Sequence, residues 1–178
     1  RAQVMQIYNQ TKSYLKNPQP VSDNLLYGEF HENSKHTTRM PYMKPVYDVL
    51  EKNRGKVIYF DFWARWCPPC LAEMEPLKQL RSKFSTDDLI IYSICVSEPK
   101  EQWEECLNEY SLKNRGIECV HVTDYLGIDN YQKIRKQWKI DRMPYYVLIN
   151  RKGQIIDFGT AARPSNPQLV SRIEEAVK

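Results

Sequence analysis

Two cysteines, Cys67 and Cys70, stand two prolines apart in the run Trp63-Ala64-Arg65-Trp66-Cys67-Pro68-Pro69-Cys70. Sulfurs at this spacing can close into a disulfide and reopen by exchange through a mixed disulfide. The surrounding sequence sharpens that reading. A dense stretch of β-formers, Val57–Trp63, gives way here to a helical stretch opening at Pro68. A helix N-terminus presents unbonded amides and a partial positive charge, and a thiolate placed there has a lowered pKa. Cys67 is therefore expected to be an exposed nucleophile. Cys70, one turn further in, is expected to be the more buried thiol that resolves the mixed disulfide. Proline suits the first helical turn, although Pro68 withholds one N–H that would otherwise face the Cys67 sulfur.

Other chemistries of paired cysteines fit less well. A structural zinc site takes four ligands, usually two such pairs, and no second Cys-x-x-Cys is present. Covalent haem attachment needs His after the second Cys, where this chain has Leu71. An inert structural disulfide remains open. Cys95 reads as a small hydrophobe in a buried strand. Cys106 and Cys119 read as free thiols, with pairing between them as the alternative. His31, His36 and His121 show no ligand spacing. Asp61 is the remaining polar anomaly. It lies within an otherwise apolar strand, where burial would raise its pKa. Glu73, three residues past Cys70, reads as a solvated acid of the first turn, or as a charge tuning Cys70.

The elements that must hold these groups follow from length and periodicity. The chain has 178 residues, 42% hydrophobic and 12% aromatic, enough for one core. No apolar run reaches the roughly 18 residues of a spanning helix, and the net charge of +4 comes without a cationic block that would argue for nucleic acid. Residues 1–41 are polar and read as an N-terminal extension, with a helix over 3–16 ended by Pro18 and Pro20 and a short strand near Leu25–Phe30. No leader segment is recognisable at Arg1, and a piece of a longer precursor is equally compatible. From residue 42 to 178 the pattern predicts strand Val57–Trp63, a helix from Pro68 to about Phe84 with a kink at Pro76, strand Leu89–Val96, helix Pro99–Tyr110, strand Glu118–Thr123 and helix Asn130–Trp138. Strands Tyr145–Ile149 and Gln154–Phe158 then form a hairpin, and helix Pro167–Val177 closes the chain. Alternating strands and helices imply an α/β fold with a mainly parallel sheet covered on both faces, mixed because of the final hairpin.

The stretch Asp61-Phe62-Trp63-Ala64-Arg65-Trp66-Cys67-Pro68-Pro69-Cys70 resembles the active-site segment of the thioredoxin superfamily. The helix start Cys70-Leu71-Ala72-Glu73-Met74 and the extra segment before Met143-Pro144 resemble its TlpA-like branch, bacterial envelope thiol–disulfide oxidoreductases. The resemblance covers roughly residues 42–178. It implies a thioredoxin-like fold and an enzyme that reduces protein disulfides in the periplasm or cell envelope. The substrates it implies include apocytochrome c cysteines, with electrons supplied by a membrane thiol carrier. No cofactor or metal beyond the Cys67–Cys70 disulfide is implied. Asp61 would relay a proton for Cys70, and Met143-Pro144 would be a cis bond beside the disulfide whose backbone pairs with substrate. Trp66 and Pro68 would line the docking surface, Trp63 would pack in the core, and Pro69 with Glu73 would tune the site. Two relatives on the same fold are alternatives. A thiol peroxidase carries Thr three residues before its reactive Cys, where this chain has Ala64. A copper-handling metallochaperone or binding module uses a spacing one residue longer.

Overall fold

The structure, a computed structural model, describes residues 41–97 and 99–178. The helix expected over 3–16, the strand near Leu25–Phe30, and His31 and His36 lie outside the described residues.

A short 3-10 turn, Pro41–Met43, leads into helix α1, Lys44–Lys52. There follow β1 Val57–Trp63, α2 Pro68–Ala72, α3 Met74–Lys83, β2 Leu89–Cys95, α4 Lys100–Glu109 and β3 Ile117–His121. The chain then forms α5 Val122–Tyr125, α6 Ile128–Gln137, β4 Tyr145–Ile149, β5 Ile155–Gly159 and α7 Pro167–Ala176. The sheet has five strands in the order β3-β2-β1-β4-β5. β1, β2 and β3 run parallel, while β4 is antiparallel to both β1 and β5. The mixed sheet is the one expected from sequence, with β1 at its centre and buried along its whole length.

Because side chains alternate along a strand, β1 feeds two cores. Phe60 and Phe62 pack with Tyr92, Tyr131 and Trp138 on the face covered by α1 and α6. Val57 and Tyr59 pack with Leu77 and Leu80 of α3 and with Leu169 and Ile173 of α7 on the other. Asp61 shares the parity of Tyr59 and so belongs to the α3 face.

Three departures from the sequence expectation have local causes. Helix α1 was not expected, since Pro45 opens it and only Val46, Tyr47, Val49 and Leu50 form its buried stripe. The helix predicted from Pro68 breaks at Glu73 into α2 and α3. Pro76 lacks the N–H that would bond the Ala72 carbonyl, and its ring crowds that carbonyl. The strand predicted over Glu118–Thr123 stops at His121, whose Nδ1 caps α5 by accepting from the Thr123 N–H and hydroxyl.

Asp157, on β5, is buried and paired with Arg172 of α7. Burial pushes this carboxyl up despite the guanidinium. Arg172→Met would leave an unpaired buried charge, and an expected loss of about 3 kcal/mol follows. A raised folded-state pKa penalises the ionised form, so that loss should shrink as pH falls. Chemical denaturation at pH 5 and pH 8 would check both points.

Candidate active site

β1 delivers the chain to the end of the sheet, and Cys67 is the N-cap of α2. Its sulfur is bonded to Cys70, with the two Cα atoms 5.3 Å apart. The Cys67 sulfur also accepts the Cys70 N–H at 3.2 Å. A capping group accepts from the second or third helical amide. Pro69 occupies the second position and has no N–H, so Cys70 alone supplies this bond. The donor missing from the cap is therefore that of Pro69, rather than that of Pro68 as the sequence suggests. Pro69→Ala restores it. The reduced protein should then show a Cys67 pKa lower by about one pH unit, equivalent to roughly 1.4 kcal/mol. Thiolate absorbance near 240 nm across a pH titration would measure it.

Exposure of Cys67 is a correction. The residue is only 3% accessible in the disulfide form, against 1% for Cys70. Both sit in an apolar cluster with Trp63, Ala64, Met74, Cys95 and Cys106, against which Leu71 and Met143 pack. The helix caps the sheet end closely enough that the disulfide is lidded by its own surroundings. What is exposed is the rim. Pro68 and Pro69 face solvent, and Trp66, 69% accessible, is the largest exposed apolar side chain among the described residues. Trp63 is fully buried, as expected.

Met143-Pro144 is a cis peptide bond. It precedes β4, with Pro144 buried and Met143 in the cluster that holds both sulfurs. Asp61 is buried on the face beneath α3. Burial, and secondarily the charge of Glu73, push its carboxyl up to about 7, although a hydrogen bond from the Ser93 hydroxyl at 3.0 Å acts downward. The register explains that contact, since Ser93 is the partner of Asp61 on β2 and Tyr146 its partner on β4. Ser93 carries no motif in the sequence. Only the alignment of β1 with β2 could have revealed it.

Glu73 stands at the break between α2 and α3. It is half-buried, and its carboxylate accepts from the Ser165 N–H at 2.9 Å and the Ser165 hydroxyl at 2.6 Å, tying the active-site helix to the loop before α7. Arg65 is held by an N–H bond to the Ser97 hydroxyl at 3.0 Å.

The remaining cysteines are free thiols. Cys95 is fully buried beside the Ser97 hydroxyl. Burial raises the Cys95 and Cys106 thiols and pushes Cys119 up to about 12. His121 is a buried structural residue. Its Nε2 donates to the Ser97 carbonyl at 2.8 Å, which leaves Nδ1 as the acceptor for Thr123. Among the described residues no cluster of His, Cys, Asp and Glu could hold a metal ion, and no helix is long and apolar enough to cross a membrane.

Comparison with known proteins places this geometry. The family model described as Redoxin matches residues 44–177. Among curated proteins, thiol-disulfide oxidoreductase ResA of Bacillus anthracis is 26% identical over 108 residues, covering 61% of this chain and 57% of that protein. Sporulation thiol-disulfide oxidoreductase A of Bacillus subtilis is 23% identical over 108 residues, 61% of each chain. The chain thus spans less than two thirds of these relatives' length. Among solved structures, the thioredoxin domain of a thiol-disulfide oxidoreductase from Bacteroides vulgatus superposes with a TM-score of 0.60 at 22% identity, covering 72% of this chain and 84% of that one. A second Bacteroides vulgatus protein, provisionally named a thiol-disulfide oxidoreductase, is 32% identical with a TM-score of 0.56, covering 71% and 76%.

Proposed function

The chain belongs to the Redoxin family, as a TlpA-like member of the thioredoxin superfamily with that fold, and on that premise we propose that it is a thiol–disulfide oxidoreductase reducing protein disulfides in the bacterial cell envelope. One observation carries the reading. The Cys67–Cys70 disulfide is built on a helix N-terminus, with the Cys67 sulfur accepting a main-chain N–H and a buried carboxyl, Asp61, on the strand that leads to it.

In the reduced protein the Cys67 thiolate attacks one sulfur of a substrate disulfide. A Cys67–substrate bond forms and one substrate thiolate leaves. Asp61 takes the proton of Cys70, whose sulfur then attacks Cys67. The Cys67–Cys70 bond forms, and the second substrate thiolate departs and is protonated. Two electrons have passed to the substrate. The backbone at Met143, beside the cis Pro144, offers strand-like pairing to an extended substrate segment. Trp66 and Pro68 supply an apolar rim, and Glu73 with Pro69 sets the electrostatics of the pair. The redox-active disulfide is the only cofactor the mechanism uses. The family resemblance supports apocytochrome c as a substrate class and a membrane thiol carrier as electron donor.

The equilibrium reduction potential of Cys67–Cys70 in dithiothreitol or glutathione buffers tests the direction. A value near or below about −270 mV fits a reductant, whereas one near about −120 mV would make the protein a disulfide donor. Failure to form the disulfide would remove the reading altogether.

A further inference from the structure

The stretch that leads to Met143 and cis Pro144, the second half of α6 and the loop after it, is strongly one-sided in charge. Residues 133–142 carry Lys133, Arg135, Lys136, Lys139 and Arg142 against a single carboxylate, Asp141. All five cations are exposed. Asp141 pairs with its neighbour Arg142 at 3.4 Å. Among the described residues no carboxylate pairs with Lys133, Lys136 or Lys139. Elsewhere, Lys44, Lys56, Lys78 and Lys100 are matched with acids, while scattered lysines such as Lys83 and Lys113 are not, among the described residues, so the distinction of this stretch is that its cations are closely spaced on one helix and loop.

Three of these cations, Arg135, Lys136 and Lys139, line a shape. Gln132, Arg135, Lys136, Lys139, Ile140 and Asp141 line a shallow, open groove of about 390 Å³. Hydrogen bonds tie the lining together. Arg135 Nε donates to the Ile140 carbonyl at 3.0 Å, the Ile140 N–H returns to the Arg135 carbonyl, and the Tyr145 hydroxyl holds the Trp138 carbonyl at 2.8 Å. Trp138 and Ile140 anchor it in the core.

Lys139 also has an unusual backbone setting. It closes α6 in the left-handed region, with φ +53°, a position where helices favour Gly. A lysine there accepts backbone strain that glycine would avoid.

We propose that this groove docks an acidic segment of the protein whose disulfide is exchanged, laid along α6 and entering the site at Met143. The proposal rests on the redox reading above. Charge complementarity selects the occupant, and the nearness along the chain of Asp141, which lines the groove, to Met143, two residues on, selects the substrate as its source.

The test uses the full chain and a fluorescein-labelled, cysteine-free Asp/Glu-rich peptide of about a dozen residues, beside a Lys-rich one. Anisotropy should show the acidic peptide binding at least about tenfold tighter at low salt, with the preference shrinking severalfold at high salt. Lys133→Gln with Lys136→Gln should remove most of it. Lys139→Gly should weaken binding while leaving the melting temperature equal or higher, which separates a charge role from a structural one. In a second arm, peptides carrying an activated disulfide between acidic or basic flanks are mixed with reduced protein, and the acidic flank should react about tenfold faster. Equal binding and equal rates overturn the proposal, as does binding to phosphatidylserine vesicles without peptide preference. No reaction with either disulfide, while anisotropy keeps its preference, overturns the redox reading and leaves the groove standing.

Discussion

Cys70→Ser is expected to arrest exchange as a covalent complex, with the Cys67 sulfur joined to substrate and turnover lowered by about three orders of magnitude or more. The argument is positional. Cys67 is the sulfur at the helix N-cap, and its contact with the Cys70 N–H would stabilise a thiolate. Cys70 lies within the first turn and is buried, with its sulfur bonded to Cys67. Removing Cys70 leaves the attack intact and deletes its resolution. Cys67→Ser removes the attack itself, so no adduct should form and turnover should fall equally far. Non-reducing electrophoresis and intact mass spectrometry distinguish the two variants directly. The neighbouring thiols provide the counter-test. Cys95 and Cys106 share the apolar cluster with the disulfide, but burial raises both, and a thiol kept protonated is a poor nucleophile. Rapid loss of the adduct in Cys70→Ser without added reductant would mean that one of them resolves it, and the two-cysteine assignment would be wrong.

The parts legible in the sequence were those governed by short-range pattern. The unbroken β-formers of Val57–Trp63 require burial on both faces, and β1 is the central strand. Asp61 was visible as a carboxylate in an apolar run. Its raised pKa follows from desolvation whatever its neighbours. Cross-strand chemistry was not legible. Ser93 lies 32 residues from Asp61, and only register brings the hydroxyl to the carboxylate. Glu73 reads as a solvated acid because its partner, Ser165, is 92 residues away. The burial of Cys67 was missed for a related reason. A helix cap predicts where a sulfur stands in the chain, whereas its exposure depends on how closely the cluster with Trp63, Met74 and Met143 closes around it. The basic groove was diluted in composition. A net charge of +4 looks unremarkable until five cations fall within ten residues of one helix and loop, three of them lining one groove.

Asp61→Asn should slow resolution of the mixed disulfide by about a hundredfold at pH 8, toward the lower end of what a positioned general base contributes. The effect should fade toward pH 6. With its carboxyl near 7, Asp61 is largely protonated at pH 6 and cannot take a proton from Cys70. At pH 8 it is largely ionised and can. The wild-type rate should therefore climb through pH 7 and level off, while the Asn variant stays nearly flat over that interval. Stopped-flow measurement of the step in single turnover isolates it from substrate binding. Ser93→Ala refines the test. The hydroxyl favours the ionised carboxyl, so its loss should move the midpoint of the profile upward without abolishing it. The groups that electrostatically oppose ionisation of Asp61 include Glu73, and the ionised carboxylate in turn raises Tyr146, Cys95 and Cys119. None of them supplies a compensating cation. The same carboxyl also affects stability, in the opposite sense to activity. Its folded-state pKa lies above the unfolded value of about 3.9, so the folded protein holds the proton more tightly and stability declines as pH rises from about 4 through 7. The penalty at pH 8 is on the order of 4 kcal/mol, three pH units at about 1.36 kcal/mol each. Asp61→Asn should therefore stabilise the protein at pH 8 by up to that amount and leave it nearly unchanged at pH 4, as urea denaturation would show. A variant that loses resolution yet gains stability only on the alkaline side would tie both effects to one buried charge. A flat stability difference across pH would place the ionisation elsewhere and end the general-base assignment.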